Sequence, residues 1–155
     1  MFLPEIKFLT HKDIPAIIEI NNALQWSWPD EIIKQDLSVN SNNEITYIGA
    51  FATTTEAPLL GYAVIGRENR LSVLMALLVS LHYRRKGIAS QLLAAAGECA
   101  FELGFRRLKL RVRKSNYPAI ELYKSMNFKR SGLEKNYYAD GEDAMIMNAE
   151  LPFKF

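Results

Sequence analysis

Arg84-Arg85-Lys86-Gly87-Ile88-Ala89 and Ser115-Asn116-Tyr117-Pro118-Ala119-Ile120-Glu121-Leu122-Tyr123 are the segments that decide the fold of this chain. The first is a basic turn with one glycine, and it leads directly into an apolar helical stretch. The second is a polar cap followed by a short helix that carries a tyrosine. Together, in this order and about thirty residues apart, they predict a site for a ligand with a pyrophosphate at one end and reactive chemistry at the other.

The basic turn is suited to binding an anion. A strand that ends in a turn and continues as a helix presents several backbone N–H groups to one point, and the helix dipole adds to their effect. Gly87 has no Cβ to block the approach of a phosphate, and Ala89 keeps the next turn slim. Arg84, Arg85 and Lys86 add positive charge. A solvated basic turn that only caps a helix remains the alternative for this hexamer.

Composition indicates an ordinary soluble domain. The 155 residues are 49% hydrophobic and 23% charged, which predicts a single domain over residues 1–155 with a core of its own. A net charge of +2 is too small to indicate direct nucleic-acid binding. Cys99 is the only cysteine, so no intrachain disulfide can form and a reducing compartment is expected. It is expected to face the core from its helix. His11 and His82 lack partners at ligand spacing, and no metal site is predicted.

Neither a leader nor a membrane span is expected. Residues 1–13 lack the sustained apolar stretch of a signal peptide. The most apolar segment, Leu71–Leu81, is about half the length of a membrane-spanning helix and contains two serines. The sequence therefore predicts a cytoplasmic protein with no membrane partner, either a monomer or a homodimer.

Hydrophobic periodicity predicts eleven elements in the order β-α-α-β-β-β-α-β-α-β-β. The predicted strands are Glu5–Leu9, Glu44–Ala52, Leu59–Arg67, Leu71–Val79, Arg107–Val112, Phe128–Tyr138 and Ala144–Leu151. The first predicted helix begins at a capping arrangement of Thr10 and Asp13, and the second starts near Ser27-Trp28-Pro29-Asp30 and runs to about Ser38. The third and fourth span Ile88–Leu103 and Pro118–Met126, with Asn127 as the left-handed cap of the fourth. Asn40–Asn43 is a predicted loop. Three consecutive β-rich runs indicate an antiparallel meander. The expected fold is an α/β sandwich with a mixed, mostly antiparallel sheet.

The order of elements, the R-x-x-G-x-A turn and the S-N-x-x-A-x-x-L-Y helix resemble the GNAT superfamily of acetyl-CoA-dependent N-acetyltransferases. The resemblance extends over nearly the whole chain. It is strongest to the ribosomal-protein-alanine N-acetyltransferase (RimI-like) branch, because Asn136-Tyr137-Tyr138 and Gly141-Glu142-Asp143-Ala144 also match that branch. The resemblance implies acetyl-CoA as donor, no metal, and a primary amine on a protein, a peptide or a small molecule as acceptor.

The resemblance also implies site residues. The pyrophosphate of the cofactor is expected at the turn, and the pantetheine arm is expected to pair with the backbone at the end of the preceding strand. Asn116 corresponds to the asparagine that contacts the cofactor, and Tyr123 to the tyrosine that protonates the departing thiolate. The implied cofactor-binding residues are thus Leu77, Leu78, Val79, Arg84, Arg85, Lys86, Gly87, Ile88, Ala89, Ser90, Asn116 and Tyr123.

The chemistry of transfer agrees with a tyrosine acid. Attack of a neutral amine on a thioester creates an oxyanion and then expels a thiolate. A phenol with a pKa of about 10 can hydrogen-bond or protonate a thiolate whose parent thiol has a pKa of roughly 8.5. Simple packing of Tyr123 in its helix is the alternative.

The chain departs from the RimI-like pattern at the expected general base. That branch carries a glutamate in a Leu-Glu-Val-Arg run, whereas this chain has Leu110-Arg111-Val112-Arg113. Arg111 cannot accept a proton at ordinary pH, and Leu71–Val79 holds no carboxylate either. Glu142, Asp143 and Glu19 are weaker candidates, each more typical of a surface or structural residue.

A site without a dedicated base favours an acceptor of low pKa. An α-amine of pKa near 8 is roughly one-tenth neutral at pH 7, whereas a lysine side chain near 10.4 is neutral about once in a few thousand. The sequence therefore predicts acetylation of a protein or peptide N-terminus rather than of lysine.

The role of Arg111 bears on the identity of the acceptor, and the sequence allows two interpretations of it. Strand alternation places Lys109, Arg111 and Arg113 on one face, which is either a solvated face or a substrate-reading one. In the second case Arg111 would bind an anionic group of the acceptor, and replacing it with glutamate would broaden acceptor use. Tyr137 and Tyr138, with Trp26 and Trp28, are further candidates for the acceptor cleft by resemblance, although packing explains them equally well.

Two rival functions remain. One is acetylation of a small anionic amine or amino acid, and the other is a catalytically impaired acetyl-CoA-binding sensor module that lost activity together with its base.

Overall fold

The computed structural model of the protein describes residues 3–26, 28–38 and 44–154. Within these ranges the chain forms seven strands, four α-helices and two short 3-10 helices, His11–Asp13 and Leu81–Tyr83. The strands are β1 (Glu5–Phe8), β2 (Thr46–Phe51), β3 (Leu59–Glu68), β4 (Leu71–Val79), β5 (Arg107–Arg113), β6 (Lys129–Glu134) and β7 (Ala144–Glu150). The helices are α1 (Ile14–Ala23), α2 (Asp30–Asp36), α3 (Ile88–Glu102) and α4 (Tyr117–Ser125).

The strands form one seven-stranded sheet in the order β1-β2-β3-β4-β5-β7-β6. The pairings of β1 with β2, β2 with β3, β5 with β7 and β6 with β7 are antiparallel, and that of β4 with β5 is parallel. This confirms the predicted α/β fold with a mixed, mostly antiparallel sheet. No helix in the described ranges has both the length and the apolar character needed to cross a bilayer.

The chain divides into two compact units. The first consists of Met1–Gly66 and Ala76–Ala96, and the second of Arg67–Met75 and Gly97–Phe155. The single domain expected over residues 1–155 stays a prediction.

The first unit is built on an apolar cluster contributed by β2, β3, β4, α1, α2 and the residue that follows β1. Its buried members are Leu9, Ile17, Ile20, Ile33, Tyr47, Phe51, Tyr62, Val64, Ala76 and Leu78. The spacing of Ile17 and Ile20 along α1 presents one apolar stripe to this cluster, as the predicted helical periodicity requires. The two tyrosine rings stack with centroids 6.0 Å apart. Their hydroxyls donate to Asp36 and Asn21, so neither buried phenol is left without a polar partner.

The capping pair of Thr10 and Asp13 lies at the start of the 3-10 helix His11–Asp13, which leads into α1. The backbone N–H of Thr10 donates to the Asp13 carboxylate at 2.8 Å, and the N–H of Lys12 donates to the Thr10 hydroxyl. This reciprocal pair satisfies donors that a helix start otherwise leaves open. Helix α2 begins at Asp30 with Pro29 as its cap, within the predicted start, and it ends at Asp36, before the predicted Ser38. Ser27 and the loop predicted at residues 40–43 lie outside the described residues.

The second unit alternates buried and open positions along β5. Leu108, Leu110 and Val112 are buried, whereas the side chains between them are partly open, which confirms the predicted two faces. Three parallel pairs, from Ser72↔Leu108 to Leu74↔Leu110, join β4 to β5. Seven antiparallel pairs join β5 to β7.

Two expectations in this unit were wrong in detail. The strand predicted over Phe128–Tyr138 ends at Glu134, because Asn136 has a φ of 55°, a left-handed conformation that no strand can include. Cys99, expected in the core of its helix, is only partly buried. In contrast, Asn127 has a φ of 67°, which confirms it as the left-handed end of α4.

Candidate functional site

The basic turn before α3 is exposed and has an unusual backbone. Arg85 and Gly87 have φ values of 60° and 79°, and residues 84–87 are all exposed. A Cβ built on Gly87 would meet only the Gln91 side chain, at 3.9 Å. Glycine is therefore needed here for its left-handed backbone rather than to relieve crowding within the chain. The open turn at the start of a fifteen-residue helix has the form of an anion site.

Two residues beside this turn anchor it to the first unit. Arg84 Nε donates to the Val79 carbonyl at 3.3 Å, so the first cation of the turn is directed back toward the end of β4. Ile88 is buried and fixes the first residue of α3. The cations of Arg85 and Lys86 lie on exposed residues of the turn.

The end of β4 comes close to β3. A Cβ added to Gly61 of β3 would lie 2.5 Å from the Leu78 carbonyl oxygen, so only glycine permits this approach. Leu77, Leu78 and Val79 follow the last residue that β4 pairs with β5, which is Leu74. Leu78 and Val79 are buried, and Leu77 is partly open.

Tyr123 lies in a buried aromatic setting on α4. Its exposed fraction is 8%, and its ring centroid is 5.7 Å from that of Phe128. Burial, with a smaller contribution from Tyr138, raises the pKa of Tyr123 to about 12. The phenol therefore keeps its proton throughout the physiological range.

Asn116 is the N-cap of α4. Its side-chain oxygen accepts from the Ala119 N–H at 3.3 Å, and its carbonyl accepts from Ile120. Pro118 in the first turn suits the same helix start. This contact shows a capping role; the cofactor contact implied by resemblance stays a prediction.

Arg111 is clamped by two carboxylates that the sequence pattern did not reveal. Its terminal nitrogens donate to both oxygens of Glu68, at 2.6 and 3.0 Å, and its Nε donates to Glu134 at 2.9 Å. Lys109 also reaches Glu68, at 3.2 Å. At least three of the five N–H donors of the guanidinium are thus engaged within the protein.

The clamp changes the acid–base character of Glu68. Hydrogen bonds from Arg111 are the main cause that lowers the pKa of Glu68 to about 2, with burial opposing and Lys109 assisting. The same pairing raises the pKa of Arg111. A carboxyl of such low pKa is a weak proton acceptor at neutral pH, so the structure supplies carboxylates near Arg111 without making Glu68 an effective base.

The Glu68 clamp predicts a pH dependence of stability. A carboxyl whose pKa is lower in the folded protein stabilises it fully above its unfolded pKa of about 4.5 and loses that contribution as pH falls toward 2. We expect Glu68→Gln to be less stable than the parent protein at pH 7, and the difference in free energy of unfolding to shrink below pH 4.5. Urea unfolding of both proteins from pH 7 to pH 3 measures it. A difference that stays constant over this range would contradict the assignment.

Arg113 ties the end of β5 to the loop between β6 and β7. It donates to Asp140 at 2.9 Å and to Glu142 at 3.0 Å. The other oxygen of Glu142 accepts from the Ser115 N–H at 2.9 Å, and Asp143 accepts from the Asn136 N–H. These contacts place Glu142 and Asp143 in structural roles, and they lower the pKa of Glu142.

Tyr137 and Tyr138 are stacked on the arginines of β5. Arg111 Cζ lies 5.3 Å from the Tyr137 ring centroid, and Arg113 Cζ lies 4.1 Å from that of Tyr138. The two rings meet edge to face at 5.0 Å. The structure therefore brings three predicted acceptor-site residues together: Arg111, Tyr137 and Tyr138.

The remaining candidates gain little support. Glu19, His11 and His82 are exposed, and Trp26 and Trp28 pack on each other with centroids 6.0 Å apart. Across residues 3–26, 28–38 and 44–154, no group of three or more His, Cys, Asp or Glu side chains has the arrangement of a metal site.

Comparison with known proteins assigns the family. The profile of the Acetyltransferase (GNAT) family matches residues 14–128. An N-alpha-acetyltransferase of Sulfolobus acidocaldarius is 32% identical over 95% of this chain and 92% of the relative. An N-alpha-acetyltransferase of Saccharolobus solfataricus is 52% identical over 66 residues, which are 42% of this chain and 40% of that protein.

A solved structure supports the predicted branch. The ribosomal-protein-S18-alanine N-acetyltransferase of Escherichia coli superposes with a TM-score of 0.81 at 25% identity, covering 99% of this chain and 97% of the other. The resemblance to the RimI-like branch is thereby confirmed. The chain belongs to the GNAT family and is an acetyltransferase.

Proposed function

We propose that this acetyltransferase uses acetyl-CoA to acetylate the N-terminal α-amine of a protein or peptide by direct transfer. The observation that carries the proposal is Tyr123, a buried phenol held in its protonated form on α4. The relatives named as N-alpha-acetyltransferases support an N-terminal acceptor. A ribosomal protein is the acceptor class suggested by the Escherichia coli neighbour.

The residues that would hold acetyl-CoA have suitable local structure. The exposed left-handed turn at residues 84–87, followed by the start of α3, suits the pyrophosphate. Leu77–Val79 would supply backbone groups to the pantetheine arm, and Asn116 a polar contact. When bound, acetyl-CoA supplies an acetyl group activated as a thioester.

Tyr123 would act chiefly as a hydrogen-bond donor to the departing sulfur. Its pKa of about 12 exceeds that of a thiol, roughly 8.5, by about 3.5 units, so complete proton transfer to the thiolate costs about 5 kcal/mol. A hydrogen bond stabilises the developing negative charge without that cost. Tyr123 thus stabilises the leaving group while it retains its proton.

Arg111 offers little support for an anionic small-molecule acceptor. Its bidentate and monodentate partners, Glu68 and Glu134, balance its charge within the protein. An arginine that binds a substrate carboxylate needs two guanidinium N–H donors that are not already engaged. The clamp therefore favours the peptide N-terminus over the small anionic amine.

The acceptor prediction follows from the amine pKa. With no residue shown to be an effective base, the rate should follow the neutral fraction of the acceptor, which for an α-amine exceeds that of lysine about 100-fold or more at pH 7. We expect a peptide with a free N-terminus to release free thiol from acetyl-CoA at least about 10-fold faster than the same peptide with a blocked N-terminus and an internal lysine.

The same assay is run with free amino acids as acceptors and, as a blank, with the protein and acetyl-CoA but no acceptor. Faster acetylation of lysine or of free amino acids would contradict the proposed acceptor. Binding of acetyl-CoA without turnover on any acceptor would instead support the sensor module.

A further inference from the structure

A cavity of about 410 Å³ lies in the second unit, where β4 and β5 begin and β7 ends. It is lined by Arg70, Leu71, Arg106, Arg107, Glu150 and Leu151. Arg107 and Glu150 face each other across the β5–β7 pairing, and the Leu151 N–H donates to the Arg106 carbonyl at 3.0 Å. The backbone that surrounds the cavity is therefore fixed by the sheet.

The arginines of this cavity differ from those farther along β5. Arg111 and Arg113 are engaged by carboxylates, whereas in the part of the chain that the structure describes no ion pair or side-chain hydrogen bond involves the guanidinium of Arg70 or Arg107. Arg106 stacks on Phe101 at 4.5 Å and donates to the Phe105 carbonyl at 3.3 Å. The stacking orients one guanidinium in advance of any ligand.

The charges of the lining define the class of ligand. Three arginines and one glutamate leave an excess of two positive charges, which matches the charge of about −1.5 to −2 on a phosphate monoester at neutral pH. Guanidinium donors from three residues suit the several oxygens of a tetrahedral anion better than the two of a carboxylate.

Glu150 adds discrimination among tetrahedral anions. A carboxylate in the lining repels an anion that carries only acceptors, but it can accept a hydrogen bond from the P–OH of the fraction of phosphate that stays singly protonated at neutral pH. Sulfate and the diester backbone of RNA carry no such proton. We propose that this cavity is a binding site for a phosphate monoester, or for inorganic phosphate, held by Arg70, Arg106 and Arg107 and selected by Glu150.

The test uses the intact protein labelled with ¹⁵N. Amide signals of Leu71, Arg107 and Leu151 report the cavity, and that of Gly87 reports the turn before α3 separately. The probes are sodium phosphate, sodium sulfate and a short RNA with a 5′-hydroxyl end, titrated at pH 7 and equal ionic strength. We expect phosphate to shift the cavity signals with a Kd at least about 10-fold lower than that of sulfate, the size of one charge-assisted hydrogen bond.

Variants assign the residues. Arg107→Ala should raise the phosphate Kd at the cavity about 10-fold. Arg107→Lys should raise it less, because lysine keeps the positive charge but lacks the paired donors of the guanidinium. In Glu150→Gln the Kd values for sulfate and phosphate should differ by no more than about 3-fold, because the carboxylate that repels sulfate is gone. Arg130→Ala, an exposed site on β6 outside the lining, is the control and should leave both unchanged.

Several results would overturn the proposal. Cavity signals that do not move with phosphate would exclude the site. Equal affinity of the parent protein for phosphate and sulfate would exclude selection by Glu150. Tighter binding of the 5′-hydroxyl RNA than of phosphate would identify the ligand as a diester backbone instead.

Discussion

Tyr123→Phe is expected to lower kcat for peptide acetylation about 100-fold, at the lower end of what one hydrogen-bond donor to a developing negative charge contributes. The loss should appear in kcat with little change in KM, since the hydroxyl acts on the leaving group rather than on the bound acceptor. The free energy of unfolding should change by no more than about 1 kcal/mol, because the ring remains packed on Phe128 and only one hydroxyl is removed. Steady-state kinetics and urea unfolding measure the two effects.

A matched control for this variant exists on the same helix. Tyr117 of α4 is 72% exposed, and Tyr117→Phe should change neither kcat nor stability. Because the pKa of Tyr123 is about 12, the parent enzyme should also show no loss of activity from ionisation of this phenol below pH 11. Full activity of Tyr123→Phe would remove the hydrogen-bond role and leave Tyr123 as a packing residue.

Arg111→Glu is expected to destabilise the protein by about 2–3 kcal/mol at pH 7, because it removes the cation between Glu68 and Glu134 and adds a third carboxylate. This loss of stability is at or below the smallest values typical of breaking a buried ion pair, since the side chains of Glu68 and Glu134 are 40% and 35% exposed. The loss should diminish below about pH 5, as the crowded carboxyls take up protons. Urea unfolding at pH 7 and pH 4.5 measures both.

Two further variants separate the effect of the Arg111 ion pairs on stability from the effect of a change in charge alone. Arg111→Lys keeps the positive charge without the bidentate geometry and should cost about 1 kcal/mol. Lys129→Glu, an exposed reversal at the start of β6, should change stability by less than about 0.5 kcal/mol. If Arg111→Glu were as stable as the parent and broadened acceptor use, Arg111 would be a substrate-reading residue, as the sequence allowed.

Local sequence was sufficient for the family and for the elements other than the end of β6. The alternation Leu108, Leu110, Val112 against Lys109, Arg111, Arg113 predicts the two faces of β5 because the side-chain period of a strand is two regardless of its neighbours. The Thr10–Asp13 cap and the left-handed Asn127 were also predictable, since each depends on residues within one turn. The strand predicted through Tyr138 failed because its end depends on Asn136, whose N–H is held by Asp143 of a following segment.

The partners of Arg111 could not be read from the sequence. Glu68 and Glu134 are separated from Arg111 by 43 and 23 positions, and no local pattern links them. Their contact depends on the order and register of strands in the sheet. The missing base at position 111 was visible in the sequence, but the carboxylates that surround the arginine were not.

By itself the sequence determined most of the secondary structure, the family and the transferred group, because these depend on periodicity, caps and short motifs whose interactions are local. The tertiary structure alone decided the state of the charges: a clamped Arg111, a Glu68 with a lowered pKa, a Tyr123 held protonated, and a cavity whose Arg70 and Arg107 have no ion-pair partner among the described residues. Burial and long-range pairing control charge, since the free energy of a charged group depends on the solvent and ions that the folded chain places around it.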